Sequence, residues 1–419
     1  MTTPQTRRAI DAVWRMESAR LIAGLARIVR DVGLAEELAQ DALVAALEQW
    51  PAAGIPNNPG AWLMSAARHR AIDALRHKSL AERKHAQLGY ETDTLRPEEN
   101  DDELDDDIGD DLLRLVFTAC HPVLSPEARV ALTLRLIGGL TTEEIAKAFL
   151  VPEATMAQRI VRAKRTLTEA AVRFEIPRGA ELAPRLASVL QVIYLIFNEG
   201  YSATAGDDWV RPALCEDALR LGRILAELAP REREVHGLVA LMEIQASRLR
   251  ARVDSAGEPV RLLDQDRSRW DQLLIHRGLA ALERAEKLAG APGPYLLQAA
   301  IAACHARALT AATTEWIRIA ALYAALAQIA PSPVVELNRA VALSMAFGPE
   351  AGLEVVDTLT CEPSMKGYHL LPTVRGDLLE KLGRSREARL EFERAADLAR
   401  NDRERKFLRD RASRLADKP

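Results

Sequence analysis

Residues 141–165, TTEEIAKAFLVPEATMAQRIVRAKR, have the pattern of two short helices joined by a tight turn. Thr141 or Thr142 can cap the first helix, and Glu143 and Glu144 follow in its first turn, where carboxylates interact favourably with the helix dipole. A proline then interrupts the pattern, and a second helical pattern begins directly after it. The stretch therefore predicts a helix-turn-helix hairpin.

The second helix of this hairpin has two chemically different faces. Its apolar residues recur at helical spacing and predict an inward face, made of Met156, Ile160, Ala163 and Leu167. Its other face carries Thr155, Gln158, Arg159 and Arg162. Gln can contact an adenine edge and Arg can contact guanine or phosphate, so this face is typical of a helix in the DNA major groove. An ordinary hairpin with a solvated basic face has the same pattern, so the pattern alone leaves both interpretations open.

The wider run GGLTTEEIAKAFLVPEATMAQRIVRAKRTL, residues 138–167, resembles region 4 of the sigma-70 family of bacterial transcription initiation factors, in its extracytoplasmic-function (ECF) group. This resemblance implies contact with −35 promoter DNA through Thr155, Gln158, Arg159, Arg162, Lys164 and Arg165. Leu150 departs from the family pattern, because glycine is usual in this turn. A non-glycine residue with positive φ costs roughly 1–2 kcal/mol, so the turn is expected to differ from the usual one.

Three further helices are predicted upstream, at residues 7–30, 34–50 and 60–79, with a Pro/Asn/Gly loop at 51–59. Pro51 is expected to end the second of them, which is acidic. The third helix opens with Pro-x-x-Trp-Leu and continues as Ala-Arg-x-x-Ala-x-Asp-x-Leu-Arg, formed by Pro59, Trp62, Leu63, Ala67, Arg68, Ala71, Asp73, Leu75 and Arg76. The acidic helix, the loop and the third helix together resemble sigma region 2.

The resemblance of residues 7–80 to region 2 implies two kinds of partner. The acidic helix would dock on the clamp coiled coil of the largest RNA polymerase subunit, through Glu36, Glu37, Asp41, Glu48 and Trp50. The loop and third helix would recognise and open the −10 element, through Asn57, Asn58, Trp62, Arg68, Arg70 and Arg76. Core packing is an equally good interpretation of Trp62. The expected partners are core RNA polymerase, at its clamp and flap, double-stranded promoter DNA and the melted −10 strand.

Residues 81–111 are predicted to be a linker between the two regions. Within 91–111, twelve Asp/Glu face one Arg and few apolar residues are present, so no core is expected there. The linker is either an extended spacer or, as the resemblance suggests, a mimic of the nucleic acid in the polymerase channel. Residues 112–175 are predicted to form the region 4 domain, with Ser125 capping a helix that begins at Pro126.

The composition agrees with a large helical protein. At 419 residues the chain is too long for one core. Hydrophobic residues make up 48% but aromatic residues only 5%, which favours a globular all-α fold rich in Leu and Ala. The formal net charge is −4, so DNA contacts must come from local basic patches. A signal peptide pattern and an 18-residue apolar run are both missing from the sequence, which favours a cytoplasmic protein with no membrane contact.

Neither a catalytic nor a metal site is predicted. The cysteines lack the CxxC spacing of a metal site and are expected to be buried or incidental thiols; they are Cys120, Cys215, Cys304 and Cys361. The sequence also lacks a nucleophile–base pair and a phosphate loop. An enzyme and a cofactor are therefore not expected.

The sequence changes character from about residue 177. Residues 180–290 are predicted to form a helical extension domain, and residues 291–415 an array of tetratricopeptide-like hairpins, which present concave surfaces to peptides or proteins. The last hairpin has the clearest spacing, with Gly376, Leu379, Gly383, Ala388, Phe392 and Ala395. The runs YLIFNEGYSA and PVRLLDQDRSRWD resemble the extension of one ECF subgroup, which is YCII-associated and DUF6596-like.

Polar residues of this extension are candidates for a regulatory site that binds a regulatory protein. They are Asn198, Glu199, Tyr201, Arg211, Asp264, Asp266, Arg267 and Trp270. A structural role is the alternative, in which Asn198–Tyr201 ends a helix and the two aspartates cap helices or form salt bridges.

The sequence as a whole predicts an ECF-type sigma factor that binds core polymerase and directs promoter-specific initiation. The alternative is a helix-turn-helix regulator with a protein-binding helical array that acts independently of core polymerase. The acidic helix and the region 2 pattern argue against that alternative, because a simple repressor needs neither.

Overall fold

The structure is a computed structural model that describes residues 4–86, 104–149, 151–202, 210–254, 259–399 and 402–416. These residues form helices joined by turns, with an isolated antiparallel bridge between Val253 and Pro259, so the predicted all-α fold is confirmed. The chain divides into two compact units, Met1–Ile193 and Tyr194–Pro419. The boundary lies inside one helix, so it differs from the predicted start of the extension at residue 180.

The first unit is built around its N-terminal helix. Its helices are α1 (Pro4–Val29), α2 (Val32–Ala53), α3 (Pro59–Ala86), α4 (Leu104–Ala119), α5 (Pro126–Leu136), α6 (Thr142–Ala148), α7 (Glu153–Glu169) and the first part of α8 (Leu182–Tyr201). Helix α1 packs on α2, α3 and α4, and helix α7 packs on α5 and α6. Fully buried aliphatic side chains hold these helices together, among them Ile10, Leu25, Leu63 and Leu115.

Helix α2 is longer than the sequence predicts. It continues through Pro51 to Ala53, and Gly54, with a φ of 85°, ends it. A proline removes only its own N–H donor, and the N–H of Gly54 still donates to the carbonyl of Trp50 at 2.9 Å. The prediction that Pro51 ends the helix is therefore wrong, because the lost bond lies near a helix end where few bonds depend on it.

Two helices extend into the predicted linker at 81–111. Helix α3 continues to Ala86 and α4 begins at Leu104. Asp111 belongs to α4 and is buried, with its Oδ2 2.9 Å from Nε of Arg27, so it is not a solvated linker residue. Residues 87–103 lie outside the described residues, as does Leu150, so the spacer, the mimic and the altered turn remain predictions.

The second unit is a chain of helical hairpins. Its helices after α8 are α9 (Pro212–Leu228), α10 (Arg233–Ala246), α11 (Gln272–Lys287), α12 (Pro294–Arg307), α13 (Trp316–Ile329), α14 (Pro333–Phe347), α15 (Pro349–Leu359), α16 (Leu370–Lys381), α17 (Ser385–Leu398) and α18 (Asp402–Ala416). From α11 onward each helix packs on the next one. Short 3-10 turns at 249–251, 262–264 and 267–269 connect α10 to α11. Consecutive packing of this kind makes the unit an extended helical array.

The predicted last hairpin is present as α16 and α17. Gly376 faces the fully buried ring of Phe392, and a Cβ at this glycine would lie 2.9 Å from Cε1 of the ring. Gly383 ends α16 with a φ of 75°, which favours glycine. Leu379 and Ala388 are fully buried between the two helices. The spacing thus identified a real hairpin, whereas its tetratricopeptide character remains a prediction.

The stretch Gly179–Tyr201 is long and apolar enough to cross a membrane by length and composition alone. The sequence analysis did not anticipate this. Within it, Val189 and Val192 are fully buried, and Arg185 donates from Nη2 to the carbonyl of Phe117 at 2.8 Å. Of its apolar window 44% is buried inside the protein, and a charged residue with a protein partner is a feature of a core helix.

The contact between Gly376 and Phe392 predicts that Gly376→Val destabilises the second unit. Valine would force the buried ring out of place, and overpacking of this kind costs about 1–3 kcal/mol. The measurement is the midpoint of thermal unfolding of the full chain. Gly367→Val is the matched control, because a Cβ at Gly367 meets no atom within 4 Å. Equal midpoints for the two variants would contradict the packing argument.

Candidate polymerase and nucleic-acid interface

Helix α7 has the two faces that the sequence predicts. Its inward residues are buried; they are Met156, Ile160, Ala163 and Leu167. Thr155, Gln158, Arg162 and Arg165 are exposed, whereas Arg159 and Lys164 are half-buried. Arg165 forms an ion pair with Glu169, with Nε 2.6 Å from Oε1. The exposed face therefore offers an amide, a hydroxyl and several guanidinium groups along one side of a helix.

Helix α6, which precedes α7, begins with a reciprocal cap. The N–H of Glu144 donates to Oγ1 of Thr141 at 3.1 Å, and the N–H of Thr141 donates to the Glu144 carboxylate at 2.8 Å. This capping box satisfies two backbone donors at the helix start. It confirms the predicted cap and identifies Thr141, not Thr142, as the capping residue.

Glu36 of α2 is not a surface residue, although the acidic helix predicts one. Its side chain is 3% exposed, and Nε of Arg135 on α5 lies 2.6 Å from its Oε1. Lys164 of α7 forms an ion pair with the other carboxylate oxygen. Arg135 and Lys164 are each about one-fifth exposed. This cluster, which we call the Glu36 cluster, joins α2 to α5 and α7, and its burial corrects the predicted polymerase role of Glu36.

Three other acidic residues of α2 are exposed, as the docking prediction requires. They are Glu37, Asp41 and Glu48. Trp50, the fifth residue of that prediction, is buried at 2% exposure and packs edge-on against Trp62, with ring centroids 5.3 Å apart. The prediction that Trp50 contacts polymerase is corrected, because the aromatic pair places its ring inside the protein.

The predicted −10 residues lie on the loop before α3 and along that helix. Asn58 accepts a hydrogen bond from the N–H of Ala61 at 3.0 Å, so its side chain caps α3. Asn57, Arg68, Arg70 and Arg76 are exposed. Nη1 of Arg70 lies 3.5 Å from the carboxylate of Asp41 on α2. Trp62 packs against Trp50 and is half-buried, so part of its ring surface is exposed.

The predicted regulatory residues of the second unit fall into two groups. Several of them form ion pairs or caps within the unit, and the others lie around an arginine. Glu199 and Arg211 form an ion pair at 2.5 Å, while Asn198 is exposed. Asp264 pairs with Arg261 at 2.7 Å, and Asp266 accepts from the N–H of Ser268 at 2.9 Å. The capping and salt-bridge alternative therefore describes the two aspartates, and Asp266 is corrected to a cap of the 3-10 turn at 267–269.

Tyr201, Arg267 and Trp270 lie around an arginine that the sequence analysis missed. The guanidinium carbon of Arg248 is 5.9 Å from the ring centroid of Tyr201 and 5.8 Å from that of Trp270. Arg252, also missed, lies 3.8 Å above Tyr201. Their only signal in the sequence is the basic run at 248–252, where arginine occupies every second position.

Three family models match the chain in order. Sigma-70 region 2 matches residues 14–80, and sigma-70 region 4 matches residues 114–167. A family of unknown function, DUF6596, matches residues 185–286. Both sigma regions lie within the first compact unit, and DUF6596 begins in α8. No solved structure matches the chain.

Relatives of the chain include an uncharacterised protein over nearly its whole length and ECF sigma factors over part of it. "Uncharacterized protein R00370" of Rhizobium meliloti (strain 1021) is 44% identical over 410 residues, covering 95% of this chain and 94% of the relative. "Probable ECF RNA polymerase sigma factor SigI" of Mycobacterium tuberculosis is 27% identical over 39% of this chain and 56% of its own length. "ECF RNA polymerase sigma factor SigK" of Mycolicibacterium vanbaalenii is 28% identical over 36% of this chain and 76% of its own length. The chain therefore belongs to the sigma-70 family, with a DUF6596 extension, and is similar to ECF sigma factors at low identity over part of its length; the sigma factor family is non-enzymatic.

The burial of the Glu36 cluster predicts that Glu36→Gln destabilises the first unit. The substitution leaves two partly buried cations without their counter-charge. Removing one partner of a fully buried pair costs about 3–5 kcal/mol, and the partial exposure of Arg135 and Lys164 lowers the expected cost to about 2 kcal/mol. Thermal unfolding of the full chain measures it. Glu37→Gln is the matched control, one residue away and exposed. A Glu36→Gln midpoint equal to that of the control would contradict the structural role of the cluster.

Proposed function

We propose that this sigma-70 family protein binds core RNA polymerase and directs promoter-specific transcription initiation. The observation that carries the proposal is the order of the two sigma regions in one unit, each with a polar face open to a partner. An exposed acidic face on α2 complements a basic coiled coil of the polymerase clamp. The exposed face of α7 has the chemistry of a major-groove helix. Its partners would be core polymerase, at its clamp and flap, and promoter DNA.

The proposed DNA contacts divide between two helices. On α7, Gln158, Arg159 and Arg162 would contact the −35 bases, while Thr155 and Arg165 would contact phosphate. Lys164 can contact phosphate only after it leaves Glu36. On the loop before α3, Asn57 and the exposed part of Trp62 would stack or pair with unstacked −10 bases, and the arginines of α3 would neutralise phosphate. Affinity should fall steeply with salt, since several phosphates are contacted.

The second unit is proposed to regulate initiation. A helical array offers a surface for a regulatory protein, which would combine the sigma factor and its regulator in one cytoplasmic chain. Its charged and aromatic residues around Arg248 are the ones that a ligand or partner could use.

The proposed polymerase surface predicts that Glu37→Lys with Asp41→Lys abolishes core polymerase binding, because the two charge reversals face a basic partner. Run-off transcription measures the effect, with purified core polymerase, the full chain and a library of promoter fragments. The wild-type chain should initiate, and the double variant should initiate at least about tenfold less, equivalent to 1.4 kcal/mol.

Glu350→Lys with Glu354→Lys is the matched control, since both glutamates are exposed and have the same spacing on α15. Its transcription should equal that of the wild type. Normal core binding by the folded Glu37/Asp41 variant would show that these two residues do not form the docking surface. DNA binding by the wild-type chain without core binding or transcription would instead favour the regulator that acts independently of polymerase.

The proposed −35 contact predicts that Arg159→Ala weakens promoter binding and relaxes the −35 preference. Loss of a bidentate contact with guanine costs about 1–3 kcal/mol. Footprinting of the reconstituted holoenzyme measures the change. Arg173→Ala is the control, because Arg173 is exposed but lies beyond the end of α7. Unchanged protection of the −35 element in Arg159→Ala would refute this role.

A further inference from the structure

Arg248 is a buried cation without a counter-charge among the described residues. It follows α10 directly and is only 6% exposed. Among the described residues, the hydrogen bond of its side chain runs from Nη2 to Oε1 of Gln245 at 2.6 Å, and its Nε has no partner. Two aromatic rings, Tyr201 and Trp270, flank the guanidinium. Ring contacts attract a cation, but they accept none of its N–H bonds in the plane of the group.

The neighbouring Arg267, in contrast, has acceptors for its guanidinium donors. Its guanidinium lies 4.8 Å from the ring centroid of Trp270. It donates to the carbonyls of His305 at 2.6 Å and Ala308 at 2.5 Å, and to Oγ1 of Thr314 at 3.3 Å. Arg267 therefore binds the C-terminal end of α12, where a cation complements the helix dipole. Arg267 therefore adds a positive charge beside Arg248 and does not neutralise it.

Other buried groups around Arg248 cannot neutralise it. The indole Nε1 of Trp270 is a donor, is buried, and has no partner. Burial, with the charges of Arg248 and Arg267, lowers the pKa of His305 to about 3, so this imidazole is neutral at ordinary pH. Among the described residues, the site thus holds two guanidinium groups, an unpaired indole N–H and a neutral imidazole whose Nδ1 also has no partner. An acceptor-only group with negative charge is the chemistry that completes it.

We propose that Arg248 binds the oxyanion of a small molecule, a carboxylate or a phosphate, in the second unit. The unused Nε of Arg248 and Nε1 of Trp270 would donate to its oxygens, and the rings of Tyr201 and Trp270 would flank it. Tyr201 and Arg252 are both half-buried and stack on each other beside Arg248, so they are the nearest partly exposed groups of the site. Any effect of this ligand on initiation rests on the proposed function, but the binding itself does not.

The test is binding of two anions to the full chain without polymerase. Sodium phosphate and sodium succinate are each titrated at constant ionic strength, balanced with sodium chloride, while thermal unfolding and tryptophan fluorescence are followed. A ligand of the folded state raises the unfolding midpoint in a saturable way. The titration that saturates at the lower concentration identifies phosphate or carboxylate as the preferred group. Run-off transcription is a separate readout, so failure of binding and failure of the sigma function are distinguishable.

Variants at and beside the site decide the outcome. Arg248→Gln should weaken anion binding at least about tenfold and should not lower the midpoint without anion, because it removes a buried unpaired charge. Trp270→Phe keeps the ring, loses the N–H, and should weaken binding about threefold. Arg250→Gln is the matched control at an exposed arginine two residues away and should bind as the wild type does. Saturable stabilisation of the wild type by neither anion, or equal binding by Arg248→Gln, would overturn the proposal.

Discussion

The arrangement of the first unit depends on one buried carboxylate. Glu36 lies on α2, whereas its two cations lie on α5 and α7, so a single side chain links three helices. A buried carboxylate is stable only when nearby cations and donors offset its lost hydration. Gln40 of α2 adds a donor to the same carboxylate, with Nε2 2.6 Å from Oε1 of Glu36. The contact therefore helps to fix the position of α7 relative to α2.

The same contact changes how the charged residues of the unit can be used. Without the structure, Glu36 belongs to a polymerase surface and Lys164 to a DNA surface. In the structure each neutralises the other, and neither charge is offered to an outside partner. Other acids of α2 remain exposed, as do arginines of α7. The two proposed partner surfaces are thus distinguished from the internal charges by burial, and burial depends on neighbours that lie far apart in sequence.

This distinction explains how much of the fold and of the site was predictable. The faces of α7, the Thr141 cap and the start of α5 at Pro126 follow from residues three or four positions apart, and the structure agrees with each of them. The partners of Glu36, the burial of Trp50 and the helical start of the linker depend on contacts between distant segments. Periodicity and capping rules carry no information about such contacts.

The second unit shows the same limit with two arginines that share one indole ring. Arg267 belongs to a motif that the sequence marks, and Arg248 belongs to a plain basic run. Their hydrogen-bond partners in the structure indicate the opposite assignment of roles. Arg267 uses its donors on the end of α12, so the marked motif maintains the fold. Arg248 retains unused donors at a buried position, where an unpaired charge is costly. Within the part of the chain that the structure describes, Arg248 thus keeps donors that an anion could use, whereas Arg267 already donates to three acceptors.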